Sequence, residues 1–230
     1  MRDETGAVQE AGLAPPVIEP LETADRDAAT KALVLATAER LFAERGLRCV
    51  SVRDITAEAG VNLASVNYHF GSKDSLVFEI FRRRAAELSR DRARMLHEAL
   101  DRHGGRAPVR EILAALISPP LHWSRPGHPR RIAMQFIIRA RGEGGEAVRE
   151  AVGKDVSHLR PFIEALAAAC PDLPREEIYW RLHFTLGMVH NNRAAEFERL
   201  HVLSEGLTRD SDAEELLTRM LNFAEAGFRT

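Results

Sequence analysis

Within the eight positions 62 to 69 the chain carries Asn62, Ala64, Ser65, Asn67, Tyr68 and His69, with Lys73 just beyond. These are short hydrogen-bonding side chains, one methyl, a phenol, an imidazole and an ammonium. If the stretch is helical, Leu63, Val66 and Phe70 fall on one side and face inward, leaving the polar set outside. That chemistry suits the major groove of DNA. Asn can bond adenine bidentately, Ser can meet a base or a phosphate, and an Ala methyl can touch thymine. Tyr68, His69 and Lys73 lie toward the C-terminal end, where phosphate contacts fix position without reading sequence. Ser51 and Arg53, at the start of a preceding helix, could hold phosphates across the groove, since helix N-termini favour anions. Taken alone, the same helix could be an ordinary polar surface with Tyr68 and His69 packed on a neighbour.

The flanking sequence supplies elements to position this set. Thr30 can cap a first helix over Lys31–Arg45, with an apolar stripe of Leu33, Ala36 and Leu41 beside Val34, Ala38 and Phe42. Gly46 ends it. Ser51 followed by Asp54 reads as a capping box, and Val52, Ile55 and Ala59 share one face. Gly60 interrupts, and Val61 and Asn62 complete a tight turn into a third helix, Leu63–Phe70. Two short helices joined by a glycine-containing turn form a helix-turn-helix over about 51–70. Gly71–Asp74 breaks the chain again, and Ser72 caps a long fourth helix over 73–101.

The remaining chain bounds the function. It has 230 residues, 45% apolar and 29% charged, with net charge −2, which excludes a globally basic nucleic-acid binder but not a local basic face. Residues 1–29 carry net −5, residues 30–103 net +3, and residues 104–230 net zero. Residues 1–28, acidic and aromatic-free with three prolines, read as a disordered tail. Two cysteines fit a reducing cytoplasm, and no apolar run is long enough to span a membrane. Arg82–Arg84, Arg90, Arg92 and Arg94 read as a solvated, salt-bridged face of the fourth helix. Further helices are expected over 109–117, 131–141, 148–169 (with a break or kink near Pro161), 175–203 and 212–227, the last capped by Ser211. A proline-rich break is expected at 118–129, where Trp123 would cover an apolar opening. No strand pattern occurs, so the expected fold is all-α. Residues 178–189 are apolar around almost the whole helix, which points to burial on all sides. Pairing of 175–203 and 212–227 with a second copy in a four-helix bundle would provide that; burial within one subunit is the alternative.

The stretch from Ser51 to Leu76, with its Tyr68-His-Phe-Gly-Ser-Lys73 core, resembles the DNA-binding domain of TetR-family transcriptional regulators, and Ala38–Gly46 matches the family's first helix. The resemblance implies a DNA-binding domain over 29–88 and a helical ligand-binding and dimerisation domain over 89–230. It also implies base contacts from Asn62, Ala64, Ser65 and Asn67, and backbone contacts from Ser51, Tyr68, His69 and Lys73. In the C-terminal half, Ile178–Gly187 and Phe223–Arg229 resemble the fatty-acid-responsive, PsrA-type regulators of that family.

The expected partners are double-stranded DNA with a pseudo-palindromic operator, a small apolar effector such as a fatty acid or acyl-CoA, and a second copy of the chain. The effector pocket is expected among Trp123, Phe136, Ile137, Phe162, Leu166, Trp180, Phe184 and Met188, each of which could instead be plain core. A drug-like aromatic effector, or a helical interaction module with no operator, remains open. His122 and His128 lack metal-ligand spacing, Cys49 reads as a buried structural thiol, and His183 and His190 as packed at an interface. No phosphate loop, nucleophile elbow or carboxylate pair is present, so no enzyme activity, cofactor or metal is expected.

Overall fold

The computed structural model describes residues 19–190, 194–208 and 212–229. All regular elements among them are helical: α1 Glu19–Arg45, α2 Val52–Ala59, α3 Leu63–Phe70, α4 Lys73–Arg102, α5 Val109–Ser124, α6 Arg131–Glu143, α7 Glu146–Lys154, a 3-10 turn Ser157–Leu159, α8 Arg160–Ala169, α9 Arg175–His190, α10 Ala194–Leu203 and α11 Ala213–Gly227. No described helix is long and apolar enough to cross a membrane.

The first helix starts at Glu19, twelve residues before the expected Lys31. Thr30 is therefore no cap. Its hydroxyl donates to the Arg26 carbonyl, 2.8 Å away inside the helix. Pro20 is tolerated in the first turn because its missing N–H would be unpaired there anyway. The expected tail is thus helical from residue 19, and residues 1–18 lie outside the described residues, as does Ser211. Asp212 caps α11, its carboxylate accepting from the amides of Glu214 and Glu215.

Pro119 and Pro120 do not break the chain; they lie inside α5. A proline at 120 removes the N–H that would bond the Leu116 carbonyl. The Arg92 Nε replaces it at 2.9 Å. That bond also corrects the expectation that Arg92 is solvated, since its side chain is buried. The neighbouring arginines do form surface ion pairs: Arg82 and Arg83 with Glu79, and Arg94 with Glu98. The break near Pro161 is real and falls at 155–159, with Pro161 in the first turn of α8.

Two core clusters part within α4, between Leu88 and Leu96. The first joins α1–α4 to α6 and α7 around Phe42, Ile55, Val66, Leu76 and Phe136. The second packs α5, α8, α9 and α11 around Ile112, Leu116, Phe162 and Leu166. The helix-turn-helix therefore has no core of its own; α6 closes it from behind. Arg139 on α6 donates to the Ala43 carbonyl at 3.0 Å, and Glu143 accepts from the Leu47 amide at 2.8 Å, so one turn of α6 grips the end of α1.

Candidate nucleic-acid interface

Local chemistry fixes α2 and α3. The Ser51 hydroxyl accepts from the Asp54 amide while the Asp54 carboxylate accepts from the Ser51 amide at 2.7 Å, completing the expected capping box. Hydrogen bonds from Ser51 hold the Asp54 carboxyl below the usual carboxylate range. Gly60 ends α2 with φ +66, a left-handed conformation that side chains with a Cβ rarely adopt. Asn62 then caps α3, its side-chain oxygen accepting from the Ala64 amide at 2.9 Å. Val66 and Phe70 bury the inner face of α3. Lys31 stands over the Phe70 ring, 5.8 Å from its centre.

The outer face carries Asn62, Ala64, Asn67 and Tyr68, all exposed, with Ser65 and His69 half-buried. Tyr68 is 81% exposed and meets the His69 ring edge-on at 5.2 Å. Arg53 is exposed on the first turn of α2. Two expectations change. Leu63, expected inside, is 37% exposed. It stands at the first position of α3. Lys73 is half-buried, its ammonium donating to the Leu47 carbonyl and standing 5.8 Å from the centre of the Phe42 ring. It ties the start of α4 to the loop after α1. In α1, Leu33 and Ala36 are exposed, and Leu35 takes the inward place assigned to them. Cys49, expected buried, is exposed.

Two family models match the chain: one described as bacterial regulatory proteins of the tetR family, over residues 34–80, and one described as a tetracyclin repressor-like C-terminal domain, over residues 114–227. The chain belongs to the TetR family. The HTH-type transcriptional repressor Rv3405c of Mycobacterium tuberculosis is 42% identical over 78 residues, covering 32% of this chain and 42% of that protein. The HTH-type transcriptional repressor KstR2 of Rhodococcus jostii is 53% identical over 49 residues, 21% of this chain and 24% of that protein. The matches therefore span less than half the length of these curated relatives. The crystal structure of the TetR family transcriptional regulator PfmR from Thermus thermophilus shares the fold, with TM-score 0.57 and 17% identity over 86% of this chain and 99% of that one.

Outside the TetR helix-turn-helix, the residues expected to form one pocket are not brought together. Phe136, Phe162 and Leu166 are buried core. Trp123 lies on α5, not in a loop. It is buried, and its Nε1 donates to Asp91 at 3.0 Å. Trp180 and Phe184 stack on each other at the surface of α9, ring centres 6.0 Å apart. Phe184 and Met188 border a shallower hollow against α11. Of the expected set, Ile137 alone lines a cavity of about 640 Å³ that the described residues form between α4, α5, α6 and α7. Among the polar residues of that cavity, Arg92, Arg141 and His158 come from three different elements, so no spacing in the sequence announces them as a group. Helix α9 buries Ile178, Leu182, Thr185 and Val189 and leaves Tyr179, Trp180, His183 and Phe184 exposed in the single chain. No group of three or more metal-ligating side chains occurs among the described residues.

Proposed function

We propose that the protein is a ligand-responsive DNA-binding transcriptional regulator, a repressor acting in the cytoplasm as a homodimer on a pseudo-palindromic operator. Residues 29–88 are the DNA-binding unit and residues 89–230 the ligand-binding and dimerisation domain. The observation that carries this reading is α3, capped at both ends, packed by Val66 and Phe70, and presenting exposed polar side chains opposite. Ala64, Ser65 and Asn67 approach base edges, and Leu63 joins Ala64 as an apolar surface for a thymine methyl. Asn62 spends its oxygen on the cap and keeps its amide nitrogen for the groove. Ser51, Arg53, Tyr68 and His69 meet phosphates. Lys73 has three ammonium hydrogens, of which Leu47 takes one. Two such units require half-sites about one turn, ~10 bp or a little more, apart.

Dimerisation is supported by the exposed aromatic face of α9, where Phe184 is 65% exposed, continued by Phe223 on α11 at 76%. A contiguous apolar patch of this kind marks an association surface. Gly187 lets the paired helices approach closely. The effector is a small, largely apolar molecule such as a fatty acid or acyl-CoA, held in the helical half. Helix α6 lines the cavity through Met134 and Ile137 and grips α1 through Arg139 and Glu143. An effector that prefers one setting of α6 shifts the spacing of the two α3 helices by that differential affinity.

The test is selection of bound duplexes from a random pool by the purified chain, with Tyr68→Ala and Asn67→Ala alongside. A palindrome is expected. Asn67→Ala should change its base preference, and Tyr68→Ala should weaken binding on every sequence. No enrichment at low salt would overturn the reading and leave a helical module without an operator.

A further inference from the structure

The cavity between α4, α5, α6 and α7 is charged in a way that DNA binding does not require. Its walls include Phe78, Phe81, Met134, Ile137 and Val152. Into the same space come Arg92 from α4, Arg141 from α6, His158 from the 3-10 turn and His190 from the end of α9. These four stand close enough to feel one another's charge.

Arg92 is only 6% exposed. Its Nε bonds the Leu116 carbonyl, which uses one of five guanidinium hydrogens. No carboxylate among the described residues pairs with Arg92 or with Arg141, which lines the cavity and is also exposed to solvent. Among the described residues Asp155 is the single acid lining the space, and it is exposed and accepts a hydrogen bond from the Ser157 hydroxyl at 3.0 Å. The histidines do not add charge. Burial, with Arg92 and Arg141 nearby, pushes His158 below its ordinary value and His190 down to about 4. A buried guanidinium normally faces an anion, because an uncompensated buried charge is costly.

We infer that this cavity takes a small amphipathic organic anion, its carboxylate or phosphate head on Arg92 and Arg141 and its apolar body against Phe78, Phe81, Met134, Ile137 and Val152. A neutral hydrocarbon filling the same space would strip water from Arg92 and offer nothing in return. A cation would meet two guanidiniums. An anionic oxygen pair matches the planar fork of arginine. The volume, about 640 Å³, lies in the ordinary range for one small organic ligand. The inference rests on the reading of the helical half as the effector domain, and it assigns the acidic head group of that effector to Arg92 and Arg141.

The experiment is calorimetry on the full chain without DNA, using decanoate, decyl phosphate and decan-1-ol as probes. One of the two anions should bind at least tenfold more tightly than the alcohol, and the better anion identifies the head group. Arg141→Gln should weaken anion binding at least tenfold and leave the alcohol unchanged. Among the described residues Arg141 makes no hydrogen bond or ion pair, so the variant should melt like the parent protein. The inference is overturned if the alcohol binds as tightly as both anions, if no probe binds, or if Arg141→Gln leaves anion affinity unaltered. The duplex selection separates the two readings. A selected palindrome with no anion binding removes only this inference. Anion binding by a chain that selects no DNA upholds it and removes the operator.

Discussion

The outer face of α3 and the interior cavity each present a few polar groups against an apolar background, but they are assembled in opposite ways. The α3 face comes from consecutive residues, 62 to 69, held by caps whose hydrogen-bond partners lie within four residues along the chain. The cavity's arginines and histidines come from α4, α6, α9 and a 3-10 turn, spread from Arg82 to His190. The first is a local surface on a short rigid element. The second exists only once the whole helical half has packed. What breaks one should therefore often spare the other, and the exceptions should lie where the two share core.

Phe42 is such a shared position. It is fully buried in the first cluster, its ring 6.2 Å from that of Phe136 on α6. Phe42→Ala should cost ~3–5 kcal/mol of stability, read by denaturant unfolding, and impair both sites together. A loss confined to DNA binding would show that α6 does not couple them. Next comes the ion pair between α1 and α4. Glu39 is buried and accepts from Arg84 at 2.6 Å. Arg84→Met would strand that carboxylate and should cost about 2–3 kcal/mol, below the fully buried case because Arg84 is about a third exposed. Adding Glu39→Gln should recover part of the loss. Absence of recovery would mean that Arg84 acts through packing.

The cavity should also register acid. The folded pKa of His190 is depressed to about 4 from 6.5, by burial first and then by Arg141 and Arg92. The unfolded chain therefore binds more protons between those values. Stability is fully present above about pH 6.5 and is lost as pH falls toward 4. The loss should be roughly 1–2 kcal/mol, reduced from the full shift because the ring is partly solvated. Bound decanoate, by offsetting the two guanidiniums, should shrink it. A melting temperature that is flat across that window, after correction for the other groups, would count against the positive end of the cavity. On the α3 side the matching change is smaller. Ser51→Ala removes the α2 cap and should cost ~1 kcal/mol in thermal unfolding, with no change in anion affinity.

The same contrast explains what could be read from the sequence. The capping box at Ser51, the turn at Gly60 and the polar set of α3 were legible because each depends on neighbours within a few residues. Leu63 was misassigned because helical spacing gives a side of the helix but not where the neighbouring helix ends. Pro119 and Pro120 looked like a break because the compensating donor, Arg92, lies on another helix. For the same reason Arg92 looked like surface. Aromatic residues such as Phe136 and Phe162 were natural pocket candidates, but an apolar side chain carries no mark that distinguishes core from cavity wall. Charges inside the fold do carry that mark, and only the packed structure displays it.

The sharpest form of the comparison uses two substitutions that should leave the fold alone. Tyr68 is exposed, its ring meeting the neighbouring His69 ring edge-on, and Arg141 has no ion pair among the described residues. Each should change unfolding free energy by no more than about 0.5 kcal/mol, as surface substitutions usually do. Their functional effects should be disjoint in the first step and joined in the second. Tyr68→Ala should lose operator affinity while binding decanoate as the parent does. Arg141→Gln should keep operator affinity without ligand but resist release when decanoate is added. If Tyr68→Ala also lost decanoate, the local surface would not be independent of the cavity. If Arg141→Gln were released as readily as the parent, the cavity's charge would play no part in the response, and α6 would have to be moved by something else.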